Sequence, residues 1–162
     1  MERYLKRKEK LYILLIILST IVVQLIFYAI ADSFGYRAHL LTPGTVDNFI
    51  KFNTVFVYPY LIWYAMLIVV PYIIGLNDEK QFKKYIIAVL IAAVIALVIF
   101  IVYPTIMERP ELIVKTFSDR LLSYSYAVST PTKSAPIVHV ILSTLFMLST
   151  LTSREFKKPY KI

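Results

Sequence analysis

The stretch YIIAVLIAAVIALVIFIVYPTIM, residues 85–107, decides the fold of this chain because it is apolar and carries no charged side chain. At a rise of about 1.5 Å per residue, a helix of this length covers the roughly 30 Å hydrocarbon core of a bilayer. Two further uncharged apolar runs lie at residues 11–31 and 52–76, and a fourth, shorter run at 134–152 contains His139. The sequence therefore predicts four transmembrane helices, at about residues 11–31, 52–76, 85–107 and 134–152.

The overall composition agrees with a membrane protein. Hydrophobic residues make up 59% of the 162 residues, above the roughly 45–50% of soluble domains. The length suits one domain, and the absence of cysteine excludes disulfides and thiolate metal sites. We predict an all-α integral membrane protein with a single membrane domain over residues 1–162, and we expect neither a metal nor a cofactor.

The positive charges indicate how the helices are oriented. Of the 18 Lys and Arg, five lie in residues 1–10, three in 77–84 and four in 153–162, whereas the alternate loops 32–51 and 108–133 carry two and four. This asymmetry follows the positive-inside rule. It predicts that the N- and C-termini are cytoplasmic and that the membrane is the plasma membrane. The net charge of +8 is then explained by topology and by attraction to anionic lipid. Nucleic acid is therefore not an expected partner.

The first apolar run has two possible interpretations. Together with the basic segment MERYLKRKEK it resembles a signal peptide, and Ala29-Ile30-Ala31 could pass for a cleavage site. The run is longer than a typical signal core, however, so we expect a retained transmembrane helix.

Several local signals refine this outline. Tyr58, Tyr60, Trp63 and Tyr64 are typical of an aromatic belt at headgroup level, and Pro71 is expected to kink or end the second helix near its inner side. Asn77 and Asp78 are plausible helix caps. In the loop 108–133, apolar residues at helical spacing predict a short amphipathic helix at about residues 112–122, lying on the membrane surface.

The predicted topology brings two polar residues to the same outer face of the membrane, where the third predicted helix ends and the fourth begins. Arg109 follows one helix and His139 opens the next. A guanidinium offers a planar set of donors suited to phosphate, and an imidazole exchanges protons near neutral pH. The alternative is that Arg109 is an ordinary flanking charge, held by Glu108 or Glu111, and that His139 reaches interfacial water.

The segment YPT at 103–105, Arg109-Pro110, and STPTKSAPIVH at 129–139 together resemble the type 2 phosphatidic acid phosphatase family, related to the vanadium haloperoxidases. The likeness is to the branch of inositol-phosphotransferase-like membrane enzymes and covers roughly residues 40–162. It implies the first four helices of a six-helix bundle with an outward-facing site. It further implies that Arg109, beside Pro110, holds phosphate, and that His139, in a motif with Pro136, protonates the leaving alcohol.

The chain departs from the three family motifs, Lys-x6-Arg-Pro, Pro-Ser-x-His and Ser-Arg-x5-His-x3-Asp. Val102 stands at the first-motif lysine, and Ile137 replaces the second-motif serine, which removes a phosphate contact. Lys133 stands where relatives tend to have asparagine, so it is either a further phosphate-binding charge or a solvated loop lysine.

The third motif, with the nucleophilic histidine, is absent. SREFKKPY at 153–160 imitates its start with Tyr160 at the histidine position, but the predicted topology puts it in the cytoplasm. His39 is the only other histidine, and we expect it to be a solvated loop residue rather than a substitute nucleophile.

These observations leave three hypotheses for function. The first is a lipid-phosphate phosphatase or phosphotransferase, truncated and inactive alone, whose missing helices come from a partner chain or a homo-oligomer. The second is a non-catalytic, degenerate relative that binds lipid headgroups or a partner protein. The third is a small transporter or channel subunit, which the scarcity of polar side chains inside the helices disfavours. In each, membrane lipids are partners, and in the first they include lipid phosphates.

Overall fold

A computed structural model describes residues 2–34 (side chains from Lys8 onward), 38–42, 44, 49, 52–128 and 138–153. Five helices and two short strands make up the described chain. In order they are α1 (Glu2–Asp32), β1 (His39–Leu41), a 3₁₀ turn (Thr54–Phe56), α2 (Val57–Asn77), α3 (Glu79–Val102), β2 (Thr105–Met107), α4 (Phe117–Val128) and α5 (Val138–Thr152).

Three of these segments are long and apolar enough to cross a membrane. They are Lys8–Asp32, Thr54–Asn77 and Glu79–Val102, and each is at least as long as the roughly 20 residues that a bilayer requires. The fourth predicted transmembrane helix corresponds to α5, a shorter apolar helix. The chain is thus a helical membrane protein, but three helices rather than four meet the length criterion within the described residues.

The long helices and α5 form a bundle with α3 at its centre. We call the end with the Asn77–Glu79 turn the turn end, and the end with β1, β2 and α4 the strand end. Helix α3 packs against α1, α2 and α5. Three small apolar clusters lie between these helices: Ile17, Ile74 and Phe82; Tyr85, Val89, Leu142 and Phe146; and Ala31, Ala96 and Phe100.

Helix α5 runs alongside most of α3 even though it is short. At the turn end, Gln81 Nε2 donates to Thr152 Oγ1 at 2.8 Å. In the middle, Tyr85 stacks on Phe146 with ring centroids 5.7 Å apart. At the strand end, Val138 packs against the cluster of Ala31, Ala96 and Phe100. The predicted start at residue 134 lies outside the described residues.

The turn between α2 and α3 is fixed by Asp78. Its Oδ1 accepts from the backbone N–H of Gln81 at 3.0 Å, and its Oδ2 accepts from the Ser153 hydroxyl at 2.9 Å. Asp78 is therefore the N-cap that the sequence predicted. Asn77 instead donates from Nδ2 to the carbonyl of Ile73 at 2.7 Å. Pro71 does not end α2, which continues to Asn77, as intramembrane prolines allow when neighbouring groups compensate.

The strand end carries a parallel pair that a purely helical prediction missed. His39 pairs with Thr105 and Leu41 with Met107, and the His39 N–H donates to the carbonyl of Pro104 at 2.8 Å. Helices α1 and α3 run in the same direction, so the segments that leave them also run in the same direction. The third predicted helix therefore ends at Val102 instead of Met107.

The helix predicted at about residues 112–122 begins later, at Phe117. Thr116 and Asp119 explain this start, because they form a reciprocal capping box. The Asp119 N–H donates to Thr116 Oγ1, and Asp119 Oδ2 accepts from the N–H groups of Lys115 and Thr116 at 2.9 and 2.7 Å. These donors hold the pKa of Asp119 below its usual range.

Candidate functional site

Arg109 follows β2 and is held by α4. Its Nη1 donates to the backbone carbonyl of Tyr126 at 2.8 Å, and its guanidinium carbon lies 4.6 Å from the centre of the Tyr126 ring. The hydrogen bond and the cation–π contact together orient this half-buried guanidinium. Pro110, the next residue, is exposed.

His139 lies in the first turn of α5 and is surrounded by aromatic rings of α2. Its imidazole centroid is 4.1 Å from that of Trp63, 5.2 Å from Tyr60 and 6.4 Å from Tyr64. Four residues further along α5, the Ser143 hydroxyl accepts from Trp63 Nε1 at 3.1 Å. Three of the predicted aromatic-belt residues therefore face the candidate histidine and connect α2 with α5.

One atom of this aromatic site stands out. His139 Nε2 is buried, and within the described part of the chain it has no hydrogen-bond partner. A buried polar atom left unpaired costs about 1–3 kcal/mol. Such an atom calls for an explanation, either a water or ligand that bonds to it, or a strained position that the surrounding packing maintains.

Replacing His139 with phenylalanine tests which explanation holds. Phenylalanine keeps a ring against Trp63 and removes the unpaired nitrogen, so we expect His139→Phe to raise the free energy of unfolding by about 1 kcal/mol or more. His139→Ala should lower it, because the ring contacts are lost. Thermal unfolding in detergent compares the three proteins. A loss of stability in His139→Phe would mean that Nε2 has a partner in the membrane.

Arg109 and His139 are held by different elements. Arg109 is attached to α4 through Tyr126, whereas His139 is packed on α2 through Trp63 and Tyr60. The described contacts give each side chain a role in packing at the strand end. The predicted meeting of the two at one phosphate site stays a prediction.

The remaining sequence candidates divide into two groups. Lys133, Pro136, Ile137 and Tyr160 lie outside the described residues. His39 is described, and the expectation of a solvated loop residue is confirmed for its exposure but not for its secondary structure. The residue is exposed but belongs to β1, with its ring stacked on Tyr103 at 4.4 Å. The backbone pairing fixes this position, and sequence periodicity gave no sign of it.

Two small cavities lie between the helices in the described part of the chain. One of about 20 Å³ lies between α1, α3 and α5, and one of about 10 Å³ lies at the bundle centre, with Gln24 bordering both. Each volume is close to that of a single water molecule. Neither is lined by Arg109 or His139, and the described residues hold no group of three or more His, Cys, Asp or Glu that could bind a metal.

Sequence reasoning did not identify the partners of the candidate residues. Tyr126, which orients Arg109, falls in a segment that has no motif. The capping box was detectable, since Thr116 and Asp119 have the required spacing. That signal would have corrected the start of α4.

No protein-family model, no curated protein and no solved structure matches this chain. The resemblance to membrane lipid-phosphate phosphatases therefore stays a hypothesis based on the short motifs around Arg109 and His139.

Proposed function

We propose that this chain is a multi-pass membrane protein that binds phosphate-bearing lipid headgroups at its strand end and has no catalytic turnover of its own. The observation that carries the proposal is the guanidinium of Arg109, oriented by the carbonyl and the ring of Tyr126. An oriented guanidinium loses less conformational entropy when it binds phosphate, and its planar donors match phosphate oxygens.

The proposed topology puts the strand end on the extracytoplasmic side of the plasma membrane. Its support is the concentration of Lys and Arg in residues 1–10, 77–84 and 153–162. In this topology α5 is a fourth transmembrane helix, in line with its contacts to α3 and to the turn end.

The absence of turnover follows from the histidines. In the family that the short motifs resemble, one histidine is the nucleophile and another is the general acid, and both roles require a histidine that can reach the phosphate. The chain has two histidines, and their rings are packed on separate partners, His39 on Tyr103 and His139 on Trp63. Neither contact supports an in-line attack on a phosphate held by Arg109.

Native mass spectrometry of the purified protein with phosphatidic acid, and with phosphatidylcholine for comparison, tests the proposal. We expect Arg109→Gln to weaken the retention of phosphatidic acid roughly tenfold, since a hydrogen bond to a charged group contributes about 1.5–3 kcal/mol. Arg109→Lys keeps the charge without the planar donors, so its retention of phosphatidic acid should lie between that of the wild type and that of Arg109→Gln. Lys80→Gln, at the turn end, removes a comparable charge and should have little effect.

Equal retention in the wild type and in Arg109→Gln would contradict lipid-phosphate binding at Arg109. The helical content of each variant should be checked by circular dichroism, because Arg109 also holds α4. A variant that binds less lipid but keeps its helices supports the proposal.

A second candidate function is a lipid-phosphate phosphatase or phosphotransferase completed by helices of another chain or a second copy. The Nε2 of His139, which has no hydrogen-bond partner among the described residues, favours it, because a general acid needs a nitrogen that no other group of the protein occupies. This nitrogen is buried, so the added helices would have to open a path to it. Inorganic phosphate release from phosphatidic acid by native membranes, lost in His139→Ala, would support this candidate over the non-catalytic one. Unchanged phosphate release in His139→Ala would show that His139 is not the general acid of such an enzyme.

A further inference from the structure

Helix α4 buries two polar residues in its first turn and exposes two of its aromatic residues. Ser118 and Asp119 are each 7% exposed, whereas Phe117 is 66% and Tyr124 73% exposed. Residues spaced three and four apart share a face of a helix. Phe117, Arg120 and Tyr124 therefore form one outward stripe, which we call the α4 stripe.

Hydrogen bonds fix the direction in which this stripe points. The Ser118 hydroxyl lies 3.1 Å from that of Thr54, in the 3₁₀ turn before α2, and 2.9 Å from that of Thr116. Asp119 is engaged in the capping box. Because these polar groups hold one side of α4 against the start of α2, the opposite, aromatic side must face away from the protein.

The surroundings of the α4 stripe are apolar as well. Val55 and Phe56, in the 3₁₀ turn that α4 touches, are exposed, and so is Ile62 on the outer surface of α2. The segment Thr54–Asn77 is one of the three that can cross a membrane. The exposed apolar surface of this segment thus reaches the turn on which α4 is docked, at the level where the apolar helix begins.

We propose that the α4 stripe lies in the headgroup region of the bilayer, with Phe117 and Tyr124 at the boundary of the acyl chains and Arg120 at lipid phosphate. Aromatic residues are enriched at this depth, and a long basic side chain reaches the phosphates while its stem stays apolar. The inference keeps the surface position that the sequence predicted for this helix, and it identifies Phe117, Arg120 and Tyr124 as the residues that face the lipid. Leu121 and Leu122 also fall at the apolar spacing that predicted the helix, but they are half-buried.

Lipid explains this surface better than a protein partner or a second copy does. The stripe adjoins exposed apolar residues of a transmembrane segment, and it combines aromatic rings with a cation, as interfacial helices do. Lys115, just before α4, is exposed too and adds a second positive charge beside the stripe. The inference does not depend on lipid binding at Arg109, since it concerns other side chains.

The chain contains no cysteine, so single labels can be placed without removing native thiols. We would attach a nitroxide to Phe117→Cys and, separately, to Tyr124→Cys in vesicles of phosphatidylcholine and phosphatidylglycerol at a high lipid-to-protein ratio. Collision rates with oxygen and with a water-soluble nickel chelate report the depth of each label. Lys80→Cys supplies the water reference, and Ile62→Cys supplies the lipid reference.

We expect both α4 labels to collide with the chelate several-fold less often than the label at position 80, and with oxygen more often. Their depth should lie between those of the two references. Chelate access equal to that of position 80 would overturn the inference, because the stripe would face water. Protection from both reagents would overturn it too, because a protein surface or a second copy would cover the stripe. Both native side chains are exposed, so neither substitution removes a core contact.

Discussion

Replacing Gly75 with leucine is one of the two changes expected to destabilise the bundle most. A Cβ at this position of α2 would lie 2.8 Å from Ile13 Cγ2 of α1, and 3.2 Å from Phe82 Cδ2 of α3. Ile13 is β-branched and has few alternative rotamers in a helix. Overpacking a close helix contact costs typically about 1–3 kcal/mol, and leucine, which extends beyond its Cβ, should lie at the upper end.

The matched control is Ala65→Leu, on an exposed part of the same helix. It adds a similar volume where α2 has no close neighbour, so its stability should stay near that of the wild type. Thermal unfolding in a mild detergent, with the monodisperse fraction measured in parallel, compares the two variants. Equal melting temperatures would show that α1, α2 and α3 do not approach as closely at Gly75 as the structure indicates.

Asp78→Ala should produce the second large effect, since this carboxylate links the start of α3 to the end of α5. It caps α3 through the N–H of Gln81 and accepts from the hydroxyl of Ser153, which follows α5 and is fully buried. Loss of an N-cap costs about 0.5–2 kcal/mol. A buried hydroxyl left without its acceptor costs about 1–3 kcal/mol. We expect hydrogen exchange to increase both at the start of α3 and at the end of α5.

Glu79→Ala is the control for this second prediction. Glu79 is the neighbouring carboxylate, and its ion pair with Lys83, at 2.7 Å, is largely exposed on both sides. Exposed pairs of this kind contribute little to stability, because water screens both charges. A response to Glu79→Ala as large as that to Asp78→Ala would indicate a general charge effect at the turn, and the proposed link between α3 and α5 would be abandoned.

The sequence predicted the long helices well because the property that defines them is local. An uncharged run of more than 20 residues must satisfy its backbone hydrogen bonds internally in a membrane, whatever its neighbours are. Asp78 was predictable as a cap for the same reason, since its acceptor and the Gln81 N–H lie three residues apart. The start of α4 was not predicted, although its signal is also local. Apolar residues at helical spacing begin before Phe117, and only the capping box of Thr116 and Asp119 marks where the helix starts.

The site was less predictable, because its contacts join residues that are distant in the chain. Trp63 and Ser143 are 80 residues apart, and Arg109 and Tyr126 are 17 apart. Short motifs identified Arg109 and His139 as unusual. They could not predict that Arg109 would be oriented by α4, or that His139 would be enclosed by aromatic rings of α2.

The sequence by itself determined that this is a helical membrane protein, where its long apolar helices lie, and which polar residues stand out against them. Hydrophobicity and hydrogen bonding within a helix act over one or two turns, so both can be recognised from the amino-acid sequence alone. Only the tertiary structure decided that β1 and β2 pair, that His139 Nε2 is buried without a described partner, and that α4 turns its aromatic side outward. These features depend on which surfaces meet when α1, α2 and α5 pack around α3. That packing is determined jointly by side chains that are far apart in the chain.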